Sequence, residues 1–143
     1  MKKILFVCHG NICRSPMAEF VMKDLVRRAG READFEIASC AASREEEGCG
    51  MYPPAIRELE RHVIPWQRRR ARLITEDDLR YYDRIYYMDA RNAQYLRRLF
   101  GSKAAKCRQL LTQDVADPWY TGDFSQTWED ILSGCTAILE ELT

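Results

Sequence analysis

Apolar residues near the start of the chain follow two different spacings in succession. Lys3–Val7 is a short, mostly apolar run that leads into Cys8, and it predicts a buried strand. After it, apolar residues recur every three or four positions, the spacing of a helix, at Met17, Ala18, Val21, Met22, Leu25, Val26 and Ala29. Gly30 is a residue type that commonly ends helices. The pattern therefore predicts a strand, a loop over residues 8–16 and a helix.

The same alternation of strands and helices continues to the end of the chain. Strands are predicted at Phe35–Ser39, Arg84–Met88 and Lys106–Leu110. Helices are predicted from Pro53, from Thr75 to Tyr82, over Asn92–Phe100, and as one long apolar stripe from Phe124 to Leu142. Such alternation indicates an α/β fold with a parallel sheet. No linker or repeat interrupts it, so residues 1–143 are predicted to form one domain.

The composition narrows the class of protein. Hydrophobic residues make up 46% of the chain and charged residues 31%, which is typical of a globular protein. Lys and Arg together number 22, as do Asp and Glu, so the net charge favours neither nucleic acid nor membrane as a partner. No apolar stretch is long enough for a signal peptide or a membrane span. A cytoplasmic protein is predicted, in which any anion site must be local.

The cysteines and histidines do not form a recognisable metal motif. Six cysteines in a chain without an export signal are expected to be free thiols. No Cys-x-x-Cys pair is present, and neither His9 nor His62 pairs with a cysteine at the spacing of a zinc finger. We therefore expect no metal site and no cofactor.

Residues 8–16 read Cys-His-Gly-Asn-Ile-Cys-Arg-Ser-Pro, at the carboxyl end of the first predicted strand. Ligands of parallel α/β sheets bind at this edge. Gly10 and Asn11 readily adopt positive φ, so the loop is expected to wind tightly with its N–H groups turned inward. With the positive end of the helix dipole, those N–H groups would form a cradle for an anion. Arg14 adds a guanidinium fork that matches two phosphate oxygens.

This cradle predicts the role of Cys8. A positive potential at a helix N-terminus stabilises a thiolate, and a thiolate in a phosphate cradle is positioned for in-line attack on phosphorus. The Ser15 hydroxyl is expected to donate to the sulfur and to help it leave in the second step. An inert core cysteine is the alternative interpretation. The agreement of Gly, Asn, Arg, Ser and Pro around Cys8 favours catalysis.

A thiolate nucleophile needs an acid that protonates the departing oxygen. Asp117 is the candidate, because it is followed by Pro118, Trp119 and Tyr120. The proline is expected to keep the segment out of regular structure, and the two aromatic side chains would contact an aromatic leaving group and exclude water. A simple turn former is the alternative interpretation of Asp-Pro.

Val7–Pro16 and Asp117–Tyr120 together resemble the two motifs of the low-molecular-weight protein tyrosine phosphatase family. Further likeness is present at Met17-Ala18-Glu19, Ser39, Tyr52-Pro53-Pro54, Ala71-Arg72, Met88-Asp89 with Asn92, and the closing helix. The resemblance implies a four-stranded parallel sheet with helices on both faces. It implies Cys8 as nucleophile, Arg14 as phosphate ligand and Asp117 as general acid and base. The phosphate-binding and substrate-binding residues that it implies are His9, Gly10, Asn11, Ile12, Cys13, Ser15, Trp119 and Tyr120.

The resemblance also implies a reaction and its partners. It implies metal-independent hydrolysis of phosphotyrosine and small aryl phosphates through a cysteinyl-phosphate, in signalling, by a monomer that binds neither nucleic acid nor membranes. Phosphotyrosine proteins would be substrates, and phosphate, sulfate and vanadate would be anion ligands. In relatives, a cysteine at the position of Cys13 can form a reversible disulfide with the nucleophile.

Two segments depart from the family pattern. The pocket rim at Ser43–Gly48 is charged where the family often has an aromatic residue. Arg68-Arg69-Arg70 stands where the family has a second histidine, the residue expected to support Asn11 from behind.

Three other functions share features with this sequence. An arsenate reductase of this fold uses two further cysteines, but residues 63–106 contain none. Protein arginine phosphatases tend to have Thr at the position of Ile12 and a smaller residue after Asp-Pro, so phosphotyrosine is preferred here. A non-catalytic phosphate-binding module would be expected to lack the Cys, the Arg or the acid, and all three are present.

Overall fold

The computed structural model describes residues 1–143. The strands are β1 (Lys2–Cys8), β2 (Phe35–Ala41), β3 (Arg84–Tyr87) and β4 (Arg108–Gln109). The α-helices are α1 (Arg14–Arg28), α2 (Pro53–Arg61), α3 (Glu76–Tyr81), α4 (Ala90–Phe100), α5 (Pro118–Thr121) and α6 (Phe124–Glu141). Two 3₁₀ helices span Glu32–Asp34 and Gly101–Lys106.

The four strands form one parallel sheet in the order β2-β1-β3-β4. The predicted parallel α/β sheet is therefore confirmed. The chain leaves β1 toward β2 on one side and later returns to β3 on the other side. In sheets of this kind, a crevice opens at the carboxyl ends of the strands where the winding direction changes. Cys8 ends β1 at this place, paired with Ala41 of β2.

The side chains of β1 alternate between two separate hydrophobic cores, so the sheet is the middle of three layers. Ile4, Phe6 and Cys8 pack into one core with α1, α2 and α6. Leu5 and Val7 pack into the other core with α3 and α4. A strand that is covered on both faces is apolar at every position, which is the continuous run seen in the sequence.

The long helix α6 packs closely against the residue that follows β4. A Cβ atom on Gly134 would lie 2.5 Å from Leu110 Cγ, so only glycine fits there without displacing that side chain. No helix combines the length and the apolar character needed to cross a membrane.

The segment after Asp117 differs from its prediction. Pro118 was expected to keep it irregular, but Pro118–Thr121 forms one helical turn, α5. The reason is local: proline fits the first position of a helix, and the Asp117 side chain caps the turn by accepting the Trp119 N–H. Gly122, with φ at 72°, ends it.

Candidate active site

The loop between β1 and α1 turns at Asn11. This residue has φ at 60°, and its N–H donates to Cys8 Sγ at 3.3 Å. The predicted tight winding is confirmed at Asn11 but was wrong for Gly10, whose φ is not positive. At position 10 a larger residue would crowd a neighbour instead, because a Cβ there would lie 3.1 Å from Glu46 Cγ and that side chain would have to shift slightly.

The sulfur of Cys8 lies almost fully buried at the base of a pocket, with 3% of the residue exposed. It is 3.1 Å from Ser15 Oγ. The first turn of α1 begins at Arg14, and the first N–H groups of a helix have no partners inside that helix. The sulfur therefore lies at the positive end of the α1 dipole, beside one hydroxyl and one backbone N–H donor.

The Asn11 amide makes hydrogen bonds at both of its ends. Its Nδ2 donates to Ser15 Oγ at 2.8 Å and to Ser39 Oγ at 3.0 Å. Its Oδ1 accepts from the backbone N–H of Arg72 at 3.3 Å and from Nη2 of Arg69. These contacts hold the left-handed residue from behind the loop.

Arg14 is buried, with 2% of the residue exposed, and its guanidinium is held in one orientation. Its Nη1 donates to Asp89 Oδ2 at 2.6 Å and to the Val115 carbonyl at 2.7 Å. Burial lowers the pKa of Arg14, but the negative charges around it outweigh burial and hold the pKa above its ordinary value. In order of decreasing effect, those charges belong to Cys8, Asp117 and Asp89. A permanent cation therefore faces the sulfur.

Asp117 lies at the mouth of the same pocket. One carboxylate oxygen, Oδ1, accepts the Trp119 N–H at 3.0 Å, which fixes the side chain. The other, Oδ2, lies 3.4 Å from Arg14 Nη2, and a quarter of the side chain is exposed. This oxygen can therefore exchange a proton with a group that enters the pocket.

Both aromatic and acidic side chains line the pocket rim. Trp119 and Tyr120 are mostly exposed, and the Trp119 ring packs on Tyr52 with the ring centroids 4.7 Å apart. Among the acidic side chains, Glu45 Oε2 contacts His9 Nε2 at 2.8 Å. The pocket as a whole is lined by Cys8, His9, Gly10, Ile12, Cys13, Arg14, Glu45, Glu46, Asp117, Trp119 and Tyr120.

The structure brings together all the site residues predicted from the sequence, but in two layers. Most of them line the pocket, whereas Asn11 and Ser15 lie fully buried behind it. Cys13 is also nearly buried. Burial raises the pKa of its thiol far above the ordinary value, and the negative charge of Cys8 raises it further. No group of three or more His, Cys, Asp and Glu side chains is placed to hold a metal ion.

Comparison with known proteins agrees with this geometry. The sequence pattern described as Low molecular weight phosphotyrosine protein phosphatase matches residues 3–143. The chain belongs to this family. It is 35% identical to the low molecular weight protein-tyrosine-phosphatase YfkJ of Bacillus subtilis, over 99% of this chain and 96% of that protein.

Solved structures of the family share the fold of this phosphatase. The low molecular weight protein tyrosine phosphatase of Streptococcus pyogenes is 36% identical, with a TM-score of 0.93 over 100% of this chain and 94% of that chain. An arginine phosphatase of Drosophila is less similar, at 27% identity, with a TM-score of 0.88 over 100% of this chain and 98% of that chain.

Two residues that hold the phosphatase site together, Asp89 and Arg69, are not among the site residues predicted from the sequence. Asp89 orients Arg14, and it also caps α4 in a reciprocal pair with Asn92. An Asp followed three positions later by an Asn is a capping signal, so it could have located this helix start. Arg69 contacts Asn11 across 58 positions of sequence, and no local signal predicts that contact.

Proposed function

We propose that this phosphatase hydrolyses phosphotyrosine in proteins, and small aryl phosphates, through a cysteinyl-phosphate on Cys8. The observation that carries the proposal is the convergence of Cys8, Arg14 and Asp117, from distant parts of the sequence, in one pocket. Membership of the family supports a phosphoprotein as the class of substrate.

Substrate binding uses the positive groups at the start of α1. The phosphate oxygens accept hydrogen bonds from the N–H groups of the loop and from the Arg14 fork. Because Asp89 and the Val115 carbonyl hold Nη1, the guanidinium plane is fixed before substrate arrives. Such preorganised donors stabilise the charge that develops on the transferring phosphoryl group without paying to reorient.

In the first step the Cys8 thiolate attacks phosphorus. The S–P bond forms as the bond between phosphorus and the tyrosyl oxygen breaks, and protonated Asp117 gives its proton to that departing oxygen. The products of this step are a dephosphorylated tyrosine side chain on the substrate protein and a phosphorylated Cys8 on the enzyme.

In the second step Asp117, now a carboxylate, takes a proton from water. The hydroxide equivalent attacks phosphorus, the S–P bond breaks, and phosphate is released. The departing Cys8 sulfur is received as a thiolate by the Ser15 hydroxyl, 3.1 Å away, and by the Asn11 N–H. Asp117 is left protonated, and the enzyme has returned to its starting state.

The pocket walls favour an aromatic leaving group. Ile12 lines the wall near the sulfur, and Trp119 and Tyr120 project at the mouth. Flat apolar walls suit a phenyl ring, which gains free energy from aromatic contact and from loss of water. Phosphoarginine is the competing substrate, and its planar guanidinium would find Glu46 and Glu45 at the same rim.

The test is a substrate comparison with the intermediate trapped. Purified protein in EDTA is given matched phosphotyrosine and phosphoarginine peptides, and an acid-quenched sample is mapped by mass spectrometry. We expect faster phosphotyrosine turnover, inhibition by vanadate and one phosphoryl group on Cys8. Faster turnover of the phosphoarginine peptide would contradict phosphotyrosine as the preferred substrate. A phosphoryl group on a residue other than Cys8 would contradict the proposed mechanism.

A further inference from the structure

Arg69 differs from the two arginines beside it. Arg68 and Arg70 are exposed, whereas Arg69 is half-buried behind the active-site loop. Its Nη2 donates to Asn11 Oδ1, and its Nη1 is buried without a hydrogen-bond partner. A buried donor without a partner lowers the stability of the fold. An arginine at position 69 is therefore not explained by stability alone.

The contacts of the Asn11 amide determine its orientation. The Arg69 guanidinium and the Arg72 backbone N–H are both donors, so the atom of Asn11 that faces them must be the oxygen. The NH₂ group is then turned to the opposite side, where it donates to Ser15 and Ser39. The Ser39 hydroxyl in turn donates to Glu19 Oε1 at 2.6 Å.

The orientation of Asn11 determines where the Ser15 proton points. Ser15 Oγ accepts from Asn11, so its own hydrogen is free to donate. The acceptors within reach are Cys8 Sγ at 3.1 Å and the Cys40 carbonyl at 3.3 Å. A thiolate is the stronger acceptor of the two, because it carries a charge.

We propose that Arg69 is a positioning residue that directs the hydrogen-bond chain from Asn11 through Ser15 toward the Cys8 thiolate. A guanidinium has no acceptor and stays protonated, so Arg69 presents only donors to Asn11 whether Cys8 is a thiol or a thiolate. An imidazole at this place could present either a lone pair or an N–H, and its role would change with pH.

Other charged groups also act on Cys8, and their influence must be separated from the effect of Arg69 through Asn11 and Ser15. Arg14 and Asp117 face Cys8 across the pocket, and the neighbouring thiols of Cys13 and Cys40 lie close behind. Burial lowers the pKa of Arg69, while the negative charges of Glu19 and Cys8 act in the opposite direction. The inference rests on the proposed role of Cys8 as nucleophile, but its test measures the thiol without substrate.

The test is the pH dependence of Cys8 alkylation by iodoacetamide, followed by peptide mass spectrometry. Arg69→Met should move the midpoint of the profile upward by about 1 pH unit, a roughly tenfold loss of thiolate below the midpoint. Arg68→Met is the matched control, because it removes a neighbouring exposed cation, and it should leave the midpoint in place. Arg69→Lys keeps a charged donor, so its midpoint should lie close to that of the unsubstituted protein.

A double-mutant cycle separates the chain from a simple field effect. Ser15→Ala ends the chain before it reaches the sulfur, so Arg69→Met should add almost no further shift in that background. A full additional shift, or equal shifts for Arg68→Met and Arg69→Met, would overturn the proposal. Thermal unfolding accompanies each variant, and a mainly structural arginine would lower Tm without moving the midpoint. The alkylation measurements need no substrate, so they test the role of Arg69 even if the proposed phosphatase activity is not found.

Discussion

The two sides of the active-site loop are built differently. Behind the loop, Asn11, Ser15 and Ser39 are buried, and each makes several hydrogen bonds. At the pocket mouth, Trp119 is 52% exposed and Tyr120 is 75% exposed. Behind the loop there is therefore a buried hydrogen-bond network, whereas the pocket mouth is formed by exposed side chains on short segments.

The difference separates two requirements of the enzyme. Attack on phosphorus needs sulfur, guanidinium and donors in one fixed geometry, which a buried network on a strand and a helix provides. Recognition of the substrate surface tolerates more movement and is carried by exposed loops. Changes at the rear and in the pocket base should therefore act on the chemistry, whereas changes at the rim should act on the choice of substrate.

The largest effect is expected for Cys8→Ser. A serine hydroxyl is not ionised in this site, so turnover of p-nitrophenyl phosphate should fall below detection. Arg14 and the loop donors are untouched, so phosphate or vanadate should still raise Tm. Measurable turnover by this variant would contradict the assignment of the nucleophile.

Asp117→Asn should lower kcat by about 10²–10⁴-fold, the range of a general acid. Asparagine keeps an oxygen that accepts the Trp119 N–H, so α5 should remain capped. The loss should be smaller for p-nitrophenyl phosphate than for phenyl phosphate, because a nitrophenolate needs less protonation to leave. Equal losses for the two substrates would argue against proton transfer by Asp117.

Asp89→Asn tests the support of the guanidinium. It removes the charge that faces Arg14 Nη1 at 2.6 Å but keeps an oxygen that can cap α4. We expect kcat/KM to fall about tenfold and the free energy of unfolding to fall by about 2 kcal/mol, the value of a hydrogen bond to a charged group. Steady-state kinetics and urea denaturation measure the two effects. Unchanged kinetics with lowered stability would limit Asp89 to a structural role.

The two cysteines of the loop should differ in reactivity. Because burial and the charge of Cys8 raise the pKa of Cys13, its thiolate is scarce at neutral pH. Iodoacetamide should therefore modify Cys13 more than about 10-fold more slowly than Cys8, and phosphate should protect Cys8. Time-resolved peptide mass spectrometry measures both rates. Equal rates would contradict the difference between the two sulfur sites.

The smallest effect is expected at the acidic rim. Glu46 lines the pocket, and two charges about 4 Å apart in water interact by about 1 kcal/mol. Glu46→Gln should raise the kcat/KM ratio of acidic to basic phosphotyrosine peptides about two- to fivefold. Glu47→Gln, one position further along and outside the pocket lining, is the control. An equal change in both variants would show that the charge of Glu46 at the rim does not determine the choice of substrate.

Elements with strong periodic patterns could be predicted from the sequence. The continuous apolar run of β1 and the helical spacing of α1 located the loop between them, and that loop contains Cys8 and Arg14. The turn at Pro118–Thr121 was missed because it is only one turn long, too short for periodicity, and depends on a single capping side chain. Pattern reasoning therefore finds long elements and misses those that depend on single contacts.

The contacts between distant segments could not be predicted in the same way. Asp89 holds Arg14 from the start of α4, and Arg69 reaches Asn11 from a loop without regular structure. In the family pattern a second histidine is expected to support Asn11, and this chain has Arg68-Arg69-Arg70 at that place. In this chain Arg69 supplies the donor, because its Nη2 reaches Asn11 Oδ1.

The nucleophile ends a strand whose residues Ile4–Val7 have no exposed surface at all. Backbone of this kind opens only when the whole protein unfolds, so its amide protons should exchange with deuterium among the slowest in the chain. Heat or denaturant should consequently abolish activity and structure at the same midpoint, with no folded but inactive state between them. Control that leaves the protein folded has to act on the sulfur itself, on the entrance above it or on the polar network behind it.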